Sequence, residues 1–370
     1  MKYYVISGEA SGDLHGSNLI HHLIQKEPKS NFRVWGGELM EAQGAQIIKH
    51  YKELAYMGFF EVFMNLRTVL RNISFCKQDL IKFQPDAVIL IDYPGFNMRI
   101  AKFAKSHEIP VYYYISPQVW AWKKNRVYQI KKYVDKLYTI LPFEKEFYAQ
   151  FDCEVEYLGH PLLDAVSNYK NQEKLNFDLW KNPGRPLVAL LPGSREQELN
   201  KMLLKMLLVI REFPNCDFVI AGVASLGKDF YSRFLSKSNI QVVFNQTYSL
   251  LEQADVALVS SGTATLETAL FDVPQVVCYQ TSVFSFAIAK LLVDVKYISL
   301  VNLISQRELV KELIQSEMTV SNMVYELNRI LDDAEAQKMK SNYIQLRTLL
   351  GGEGASERVS DSIFNHLTKN

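Results

Sequence analysis

Leu187–Leu199 reads LVALLPGSREQEL, and the rest of the chain is organised around it. Leu187–Leu191 is a continuous apolar run of the length and character of a strand buried on both faces. Pro192, Gly193 and Ser194 break that strand in a tight turn, and Arg195-Glu196 open a helical pattern that continues to about Arg211. A buried strand, a Gly/Ser turn and a helix start bring free backbone N–H groups and the positive helix end to one spot, which suits an anion. Arg195 adds a fork of donors matched to phosphate oxygens. An ordinary βα connection with a surface arginine would read the same in isolation.

A second strand-turn-helix downstream changes the weighing. After the apolar run Val256–Val259 comes SSGTATLE, Ser260–Glu267. The backbone and hydroxyls of Ser261, Gly262, Thr263 and Ala264 make a second anion cradle. Glu267 lies one helical turn beyond Thr263, in reach of vicinal hydroxyls such as those of a ribose. Two anion turns in one sheet suit a diphosphate, so a nucleotide is the economical ligand. Asn302, with Arg307 and Glu308 beyond it, is expected to complete the pocket wall.

Strand candidates recur outward from this stretch with helical patterns between them. In the first half they are Tyr3–Ile6, Phe32–Trp35, Ala87–Ile91, Val111–Ile115 and Leu137–Leu141. In the second they are Leu187–Leu191, Asp217–Ala221, Ile240–Phe244, Val256–Val259 and Gln275–Tyr279. Such alternation predicts an α/β fold of parallel sheets with helices on both faces. Polar Asn168–Asn182 and Pro183-Gly184 separate the two series and form the linker candidate. Two Rossmann-like, doubly wound domains follow, residues 1–168 and 185–345, with a cleft expected at the carboxyl ends of both sheets. The last helix, 352–370, is expected to pack back on the first domain.

Composition agrees with two ordinary domains in 370 residues, 48% of them apolar. The 41 basic and 40 acidic residues nearly cancel, so the overall charge gives no reason to expect a nucleic-acid partner. Cys76, Cys153, Cys216 and Cys278 lie far apart, without metal-ligand spacing, and read as reduced core residues. No signal peptide and no run of about 20 apolar residues is evident, so a cytoplasmic protein is expected, with a membrane surface left open.

Polar motifs in the first half fall at predicted strand ends. Ser7–Gly16, SGEASGDLHG, spaces its glycines as GxxxGxxxG, which is not the dinucleotide fingerprint. Glu9, Ser11, Gly12 and Asp13 are candidates for sugar contacts there, and Asp13 for a helix N-cap. Asp92, at the end of Ala87–Ile91, is placed to act as a general base, although an Asp capping the next helix would look alike. Asn97 follows it, and Ser116–Trp122, SPQVWAW, offers Gln118 and Trp120 to a sugar ring. Lys123, Lys124, Arg126, Lys131, Lys132 and Lys136 make a basic helix, by default a solvated face and more sharply a phosphate or lipid surface. His160-Pro161 reads as a rigid turn.

Met57–Ile73, MGFFEVFMNLRTVLRNI, places Phe59, Phe63, Leu66, Leu70 and Ile73 on one helical stripe. Phe60, Val62, Met64 and Val69 add more apolar bulk than one core-facing stripe needs. Either the helix is thoroughly buried, or Phe59, Phe60, Phe63 and Met64, with Arg67 and Arg71, meet acyl chains and phosphate headgroups. Two absences also bear on function. There is no D-x-D, so a metal-clamped nucleotide sugar and any metal cofactor are not expected, and there is no P-loop.

Taken together, SGEASGD, IDYPGFN (Ile91–Asn97), SPQVWAW, LPFEKEFY (Leu141–Tyr148), GHPLLD (Gly159–Asp164), LPGSR (Leu191–Arg195), SSGTATLE and NLISQRELVKELIQ (Asn302–Gln315) follow one order. In that order the chain resembles the lipid-A-disaccharide synthase family of GT-B glycosyltransferases over nearly its whole length. The resemblance implies an inverting transferase joining UDP-2,3-diacylglucosamine to 2,3-diacylglucosamine 1-phosphate. Its expected product is a β-1,6-linked disaccharide, with UDP released. It implies Asp92 as the catalytic aspartate and Arg195, Glu267 and Asn302 as UDP contacts. It further implies a protein peripheral on the inner membrane of a Gram-negative-type bacterium, and leaves a homodimer open. Gly95 stands where some members carry a second aspartate. Two rivals remain: a UDP-sugar 2-epimerase of the same plan, which would isomerise its substrate without an acceptor, and a UDP-binding membrane scaffold, which would release no UDP.

Overall fold

The computed structural model describes residues 1–54, 66–171, 180–193, 196–235, 240–282, 286 and 295–369. The chain forms two compact units, Met1–Ala165 with Leu350–Asn370, and Val166–Leu349. The division falls inside the helix Pro161–Asn171 rather than in the polar linker candidate. Trp180, placed by the sequence reading in that linker, is buried in the core of the second unit, because so large an aromatic surface gains more from packing than from water.

The first unit is a seven-stranded parallel sheet: β1 (Lys2–Ile6), β2 (Asn31–Gly36), β3 (Gln46–His50), β4 (Ala87–Ile91), β5 (Val111–Tyr114), β6 (Lys136–Thr139) and β7 (Glu156–Tyr157). Their order across the sheet is β3-β2-β1-β4-β5-β6-β7. The second unit holds β8 (Leu187–Leu191), β9 (Asp217–Gly222), β10 (Gln241–Phe244), β11 (Val256–Ser260), β12 (Gln275–Tyr279) and β13 (Lys311–Ile314), ordered β10-β9-β8-β11-β12-β13. All pairings in both sheets are parallel. Ten of these thirteen strands are those read from the sequence, with shifted ends; β3, β7 and β13 are additional.

The central strands are apolar throughout, since helices cover them on both faces. Every residue of β4 and β8 is buried. In each sheet the winding direction reverses once, between β1 and β4 and between β8 and β11. Connections leave these neighbours toward opposite faces, so a crevice opens above their carboxyl ends.

The final helix, Ala355–Lys369, belongs to the first unit. Val359 and Ile363 enter the core formed by Leu19, Ile20 and Leu23 of the helix Ala10–Lys26. Its start is held by Asp164, whose Oδ1 accepts from the N–H groups of Gly354 and Ala355 and whose Oδ2 accepts from that of Ser356. Three otherwise orphaned donors at a helix N-terminus thus meet one buried carboxylate. His160, four residues earlier, is buried and accepts the Leu162 N–H at Nδ1, and desolvation pushes its pKa down to about 3.

The apolar stripe predicted across residues 59–73 requires correction where it is described. In the helix Leu66–Phe83 the inward face is Val69, Ile73, Cys76 and Leu80. Leu70 lies off that row and is 52% exposed, beside exposed Arg67 and Arg71. Phe59, Phe60, Phe63 and Met64 lie outside the described residues.

Asp164→Ala should destabilise the first unit by about 2–3 kcal/mol, the cost of losing a charged acceptor from buried N–H groups. Urea denaturation followed by circular dichroism, with hydrogen exchange over residues 354–369, measures it. An unchanged midpoint and unchanged protection would remove Asp164 as the anchor of this helix.

Candidate active site

The carboxyl ends of β1 and β4 carry the polar residues that the sequence pointed to. β4 ends at Ile91, and Asp92 and Tyr93 both adopt left-handed backbone, φ 44° and 49°. Two consecutive non-glycine residues in that region are costly and persist only where surroundings over-determine them. Here the Asp92 carbonyl accepts from the Tyr113 hydroxyl at 2.6 Å and from the Asn97 amide at 2.7 Å. Asn97 Nδ2 also donates to the Ile91 carbonyl, and the residue is fully buried. Asn97 therefore positions Asp92 from behind instead of facing a sugar as expected.

Asp92 itself is open to solvent on one side, with protein packed around the rest. That protein strips away much of the surrounding water and, with the negative charge of Glu9 second, pushes the carboxyl up to about 7; a backbone hydrogen bond from Tyr93 opposes the rise. Glu9 follows β1, the strand paired with β4, in extended backbone and makes no side-chain cap. The carboxylate partnering Asp92 electrostatically is thus Glu9, whereas Gly95 is exposed with open space around it. Gly8 must be glycine for this arrangement, since a Cβ there would lie 2.6 Å from the Tyr93 ring.

Asp13 corrects a second expectation. It does not cap its own helix: Oδ1 accepts from the Gly37 and Met40 N–H groups and Oδ2 from Leu39. It is 2% exposed and caps the helix Glu38–Ala42, so it has no face left for a sugar. Gly12 is buried too, with Ser7 2.7 Å from where its Cβ would stand, which makes it a packing glycine. Ser11 stays partly exposed.

The motif SPQVWAW turns differently from its expected presentation. Ile115 is left-handed at φ 65°, an outlier for a β-branched residue, so β5 like β4 ends in strained backbone. Trp120 is buried, and its indole N–H donates to Glu144 Oε1 at 3.2 Å, so it anchors the loop from below. Gln118 is the exposed residue. Glu144, which the sequence reading passed over, also accepts the Ile140 and Leu141 N–H groups, and desolvation pushes it up to about 7. Its signal was a carboxylate opening a helix just after a strand end. The basic run behind is partly spent internally: Lys123 and Arg126 lie over the Trp122 ring, Lys131 donates to the Phe151 carbonyl, and Lys136 pairs with Glu156.

In the second unit β8 and β11, the strands that lead into the two predicted anion turns, are neighbours. Gly193 has φ 103°, and a Cβ there would come within 3.0 Å of Ser260 Oγ. The helix beyond it begins at Glu196; Ser194 and Arg195 lie outside the described residues. The other turn passes through Gly262, at φ 144°, into the helix Thr263–Leu270. Gly262 and Thr263 are exposed, Ala264 is partly so, and Ser261 donates its hydroxyl to the Ile298 carbonyl. Glu267 is partly exposed and accepts the Tyr248 hydroxyl at 2.8 Å.

Asn302 is where the expected nucleotide contact departs most from the geometry. Nδ2 donates to the Val310 carbonyl and Glu312 Oε1, and Oδ1 accepts from the Leu309 and Val310 N–H groups. All four hydrogen-bonding positions of the amide are filled, and the residue is fully buried. It tethers β13 to the helix Leu300–Ser305. Arg307 is likewise turned to Asn342 and Gln345.

A family model described as Lipid-A-disaccharide synthetase matches residues 3–364. The chain belongs to the lipid-A-disaccharide synthase family. Lipid-A-disaccharide synthase of Geobacter sulfurreducens is 35% identical over 99% of this chain and 97% of its own length. That of Coxiella burnetii is also 35% identical, over 98% and 97%. Among solved structures, UDP-GlcNAc 2-epimerase from Neisseria meningitidis superposes with a TM-score of 0.69 at 15% identity, covering 99% of this chain and 100% of its own. The calicheamicin glycosyltransferase gives 0.60 at 14%, covering 100% and 98%. At such identities these structures share the fold alone. Family membership makes the chain a glycosyltransferase, a lipid-A-disaccharide synthase.

Asn302→Ala should lower the melting temperature of the second unit by about 4–10 °C, as buried donors and acceptors lose partners. Affinity for UDP, titrated where the variant is folded, should change less than about threefold. Lost affinity with an intact melt would restore Asn302 as a ligand contact.

Proposed function

We propose that the chain transfers the sugar of UDP-2,3-diacylglucosamine to the 6-hydroxyl of 2,3-diacylglucosamine 1-phosphate, with inversion and without a metal. Asp92 carries this reading: a carboxylate at the winding reversal, held by Tyr113 and Asn97 and raised into the range of a general base near neutrality. As the acceptor oxygen bonds to the anomeric carbon, its proton passes to Asp92 and the bond to the diphosphate breaks. Attack opposite the leaving group turns the α-linked donor into a β-linked product.

UDP departs with developing negative charge. The turns after β8 and β11 would receive it on backbone N–H groups, with Arg195 as the added cation and Glu267 on the ribose. Among the described residues no cluster of His, Cys, Asp and Glu is suited to a metal, and the chain has no D-x-D. In this reading the developing charge is neutralised by backbone dipoles and Arg195. Gln118, Ser11 and Glu9 are the exposed or partly exposed polar groups left for the acceptor.

Acylated substrates have to be collected from a lipid surface. Among the described residues no helix is long and apolar enough to cross a membrane. Exposed Arg67, Leu70 and Arg71 on one helix side favour a peripheral contact with anionic headgroups, on the cytoplasmic face of a Gram-negative-type inner membrane.

UDP release from purified protein given both acylated sugars tests the central claim. Asp92→Asn should cut turnover about 10²–10⁴-fold while UDP affinity persists. A base must be ionised, so wild-type kcat/KM should rise with pH through an apparent pKa near 7. EDTA should leave the rate unchanged. An active Asn variant, or isomerisation of the UDP-sugar without acceptor, would overturn the assignment.

The surface contact has its own test in flotation with anionic vesicles. Arg67→Glu with Arg71→Glu should weaken binding at low salt, where each cation near the surface contributes about 1 kcal/mol, and the difference should vanish at high salt. Equal flotation of variant and wild type at low salt would place the contact elsewhere.

A further inference from the structure

Behind Glu267 stands a group of side chains that neither the anion turns nor the base accounts for. Tyr248 lies in the helix Thr247–Gln253, which precedes β11, and reaches Glu267 on the helix that follows that strand. Its hydroxyl donates to Glu267 Oε1 at 2.8 Å. The ring is wedged: edge-on to Tyr169 at 5.4 Å and 79°, and against Phe271 at 5.1 Å and 46°. Tyr169 is itself fixed by a 2.9 Å hydrogen bond between its hydroxyl and that of Ser249. Lys170 caps the far side, lying over the Phe271 ring and donating to the Leu270 carbonyl.

We infer that Tyr248 is a positioning residue for nucleotide recognition: it fixes the Glu267 carboxylate so that the other oxygen, Oε2, meets the ribose hydroxyls and selects a ribonucleotide. The inference rests on the reading that Glu267 faces a ribose and extends it to what orients that contact.

Three observations lead to it. A glutamate on an eight-residue helix has three rotatable bonds, and one short hydrogen bond from a wedged phenol removes most of that freedom before ligand arrives. Oε2 has no hydrogen-bond partner among the described residues, so it is the acceptor left for a ligand donor. Burial disfavours charge on Glu267 and pushes its pKa up, while the Tyr248 hydroxyl bond pulls the other way. The Tyr248 bond thus favours the acceptor-only carboxylate, the form that suits a diol offering two O–H donors. The phenol cannot be replaced by a water with the same effect, because the aromatic wedge fixes its direction.

The test separates orientation from packing by comparing two ligands on two proteins. Calorimetric titration measures UDP and 2′,3′-dideoxy-UDP against wild type and Tyr248→Phe, with a thermal melt of each. Phe keeps the ring and its neighbours and removes only the hydroxyl. Wild type should bind UDP at least about tenfold more tightly than the dideoxy analogue. The variant should lose about five- to tenfold in UDP affinity and little for the analogue, so discrimination collapses while the melt stays near wild type. Equal losses for both ligands would make Tyr248 a packing residue and overturn the inference, as would unchanged discrimination. A wild type that binds UDP without preferring it over the analogue would overturn the ribose assignment of Glu267. Absence of UDP binding altogether would overturn the nucleotide reading beneath both.

Discussion

The constraint behind the rest of this structure is the way each parallel sheet is wound. A parallel strand cannot turn back on itself; its successor must be reached by a crossover over one face. When winding proceeds outward in both directions from a central pair, the two connections leave that pair toward opposite faces, and nothing covers the ends of the strands between them. β1 with β4, and β8 with β11, are such pairs. Helices begin just beyond these ends, and the first N–H groups of a helix have no partner within it. Positive-φ backbone occurs at these ends: Asp92 and Tyr93, where it is costly, in one unit, and Gly193 and Gly262, which adopt it readily, in the other.

What holds the strained backbone at Asp92 is polar and buried. The Asp92 carbonyl sits between a tyrosine hydroxyl and an asparagine amide, and Glu267 leans on a wedged phenol. In the first case an exposed residue is oriented by two buried neighbours; in the second, two partly exposed side chains are joined by a hydrogen bond. A low-dielectric surround strengthens such bonds and makes their loss expensive, which suits groups that must be fixed before a substrate arrives. Trp120 follows the same logic: its polar handle is turned inward to Glu144, and Gln118 two residues away is what reaches solvent.

Most of this frame was legible in the sequence because buried parallel strands are written as unbroken apolar runs. AVILI and LVALL marked β4 and β8 to the residue. The strands that escaped reading carry polar residues. β3 is QIIKH, β7 has only Glu156 and Tyr157, and β13 is KELI, where Glu312 accepts from the Ile298 and Ser299 N–H groups and from Asn302. Motif reading placed the polar residues at the right strand ends but could not say which way each faced. Asp13, Asn97 and Asn302 are as polar as Asp92, yet all three spend their atoms on backbone groups, those of Asp13 well over twenty residues away and those that Asn97 meets at Ile91 and Asp92, and Asn302 at Leu309 and Val310, five to eight. Spacing along a chain does not encode which N–H groups will lie opposite a side chain. Leu70 illustrates the same limit on a helix, where two competing apolar rows were present and only tertiary packing chose Val69, Ile73, Cys76 and Leu80.

The anchoring of the final helix has a consequence for synthesis on the ribosome. Residues 166–349, which make up the second unit, emerge as one contiguous block. The first unit, although made earlier, lacks Val359 and Ile363 from its core until residues 355–369 have left the exit tunnel. The surface formed by Leu19, Ile20 and Leu23 therefore stays uncovered while the second unit is translated, and Asp164 waits as a buried-to-be charge without its three N–H partners. The residues of the second unit are thus all made before the last helix of the first.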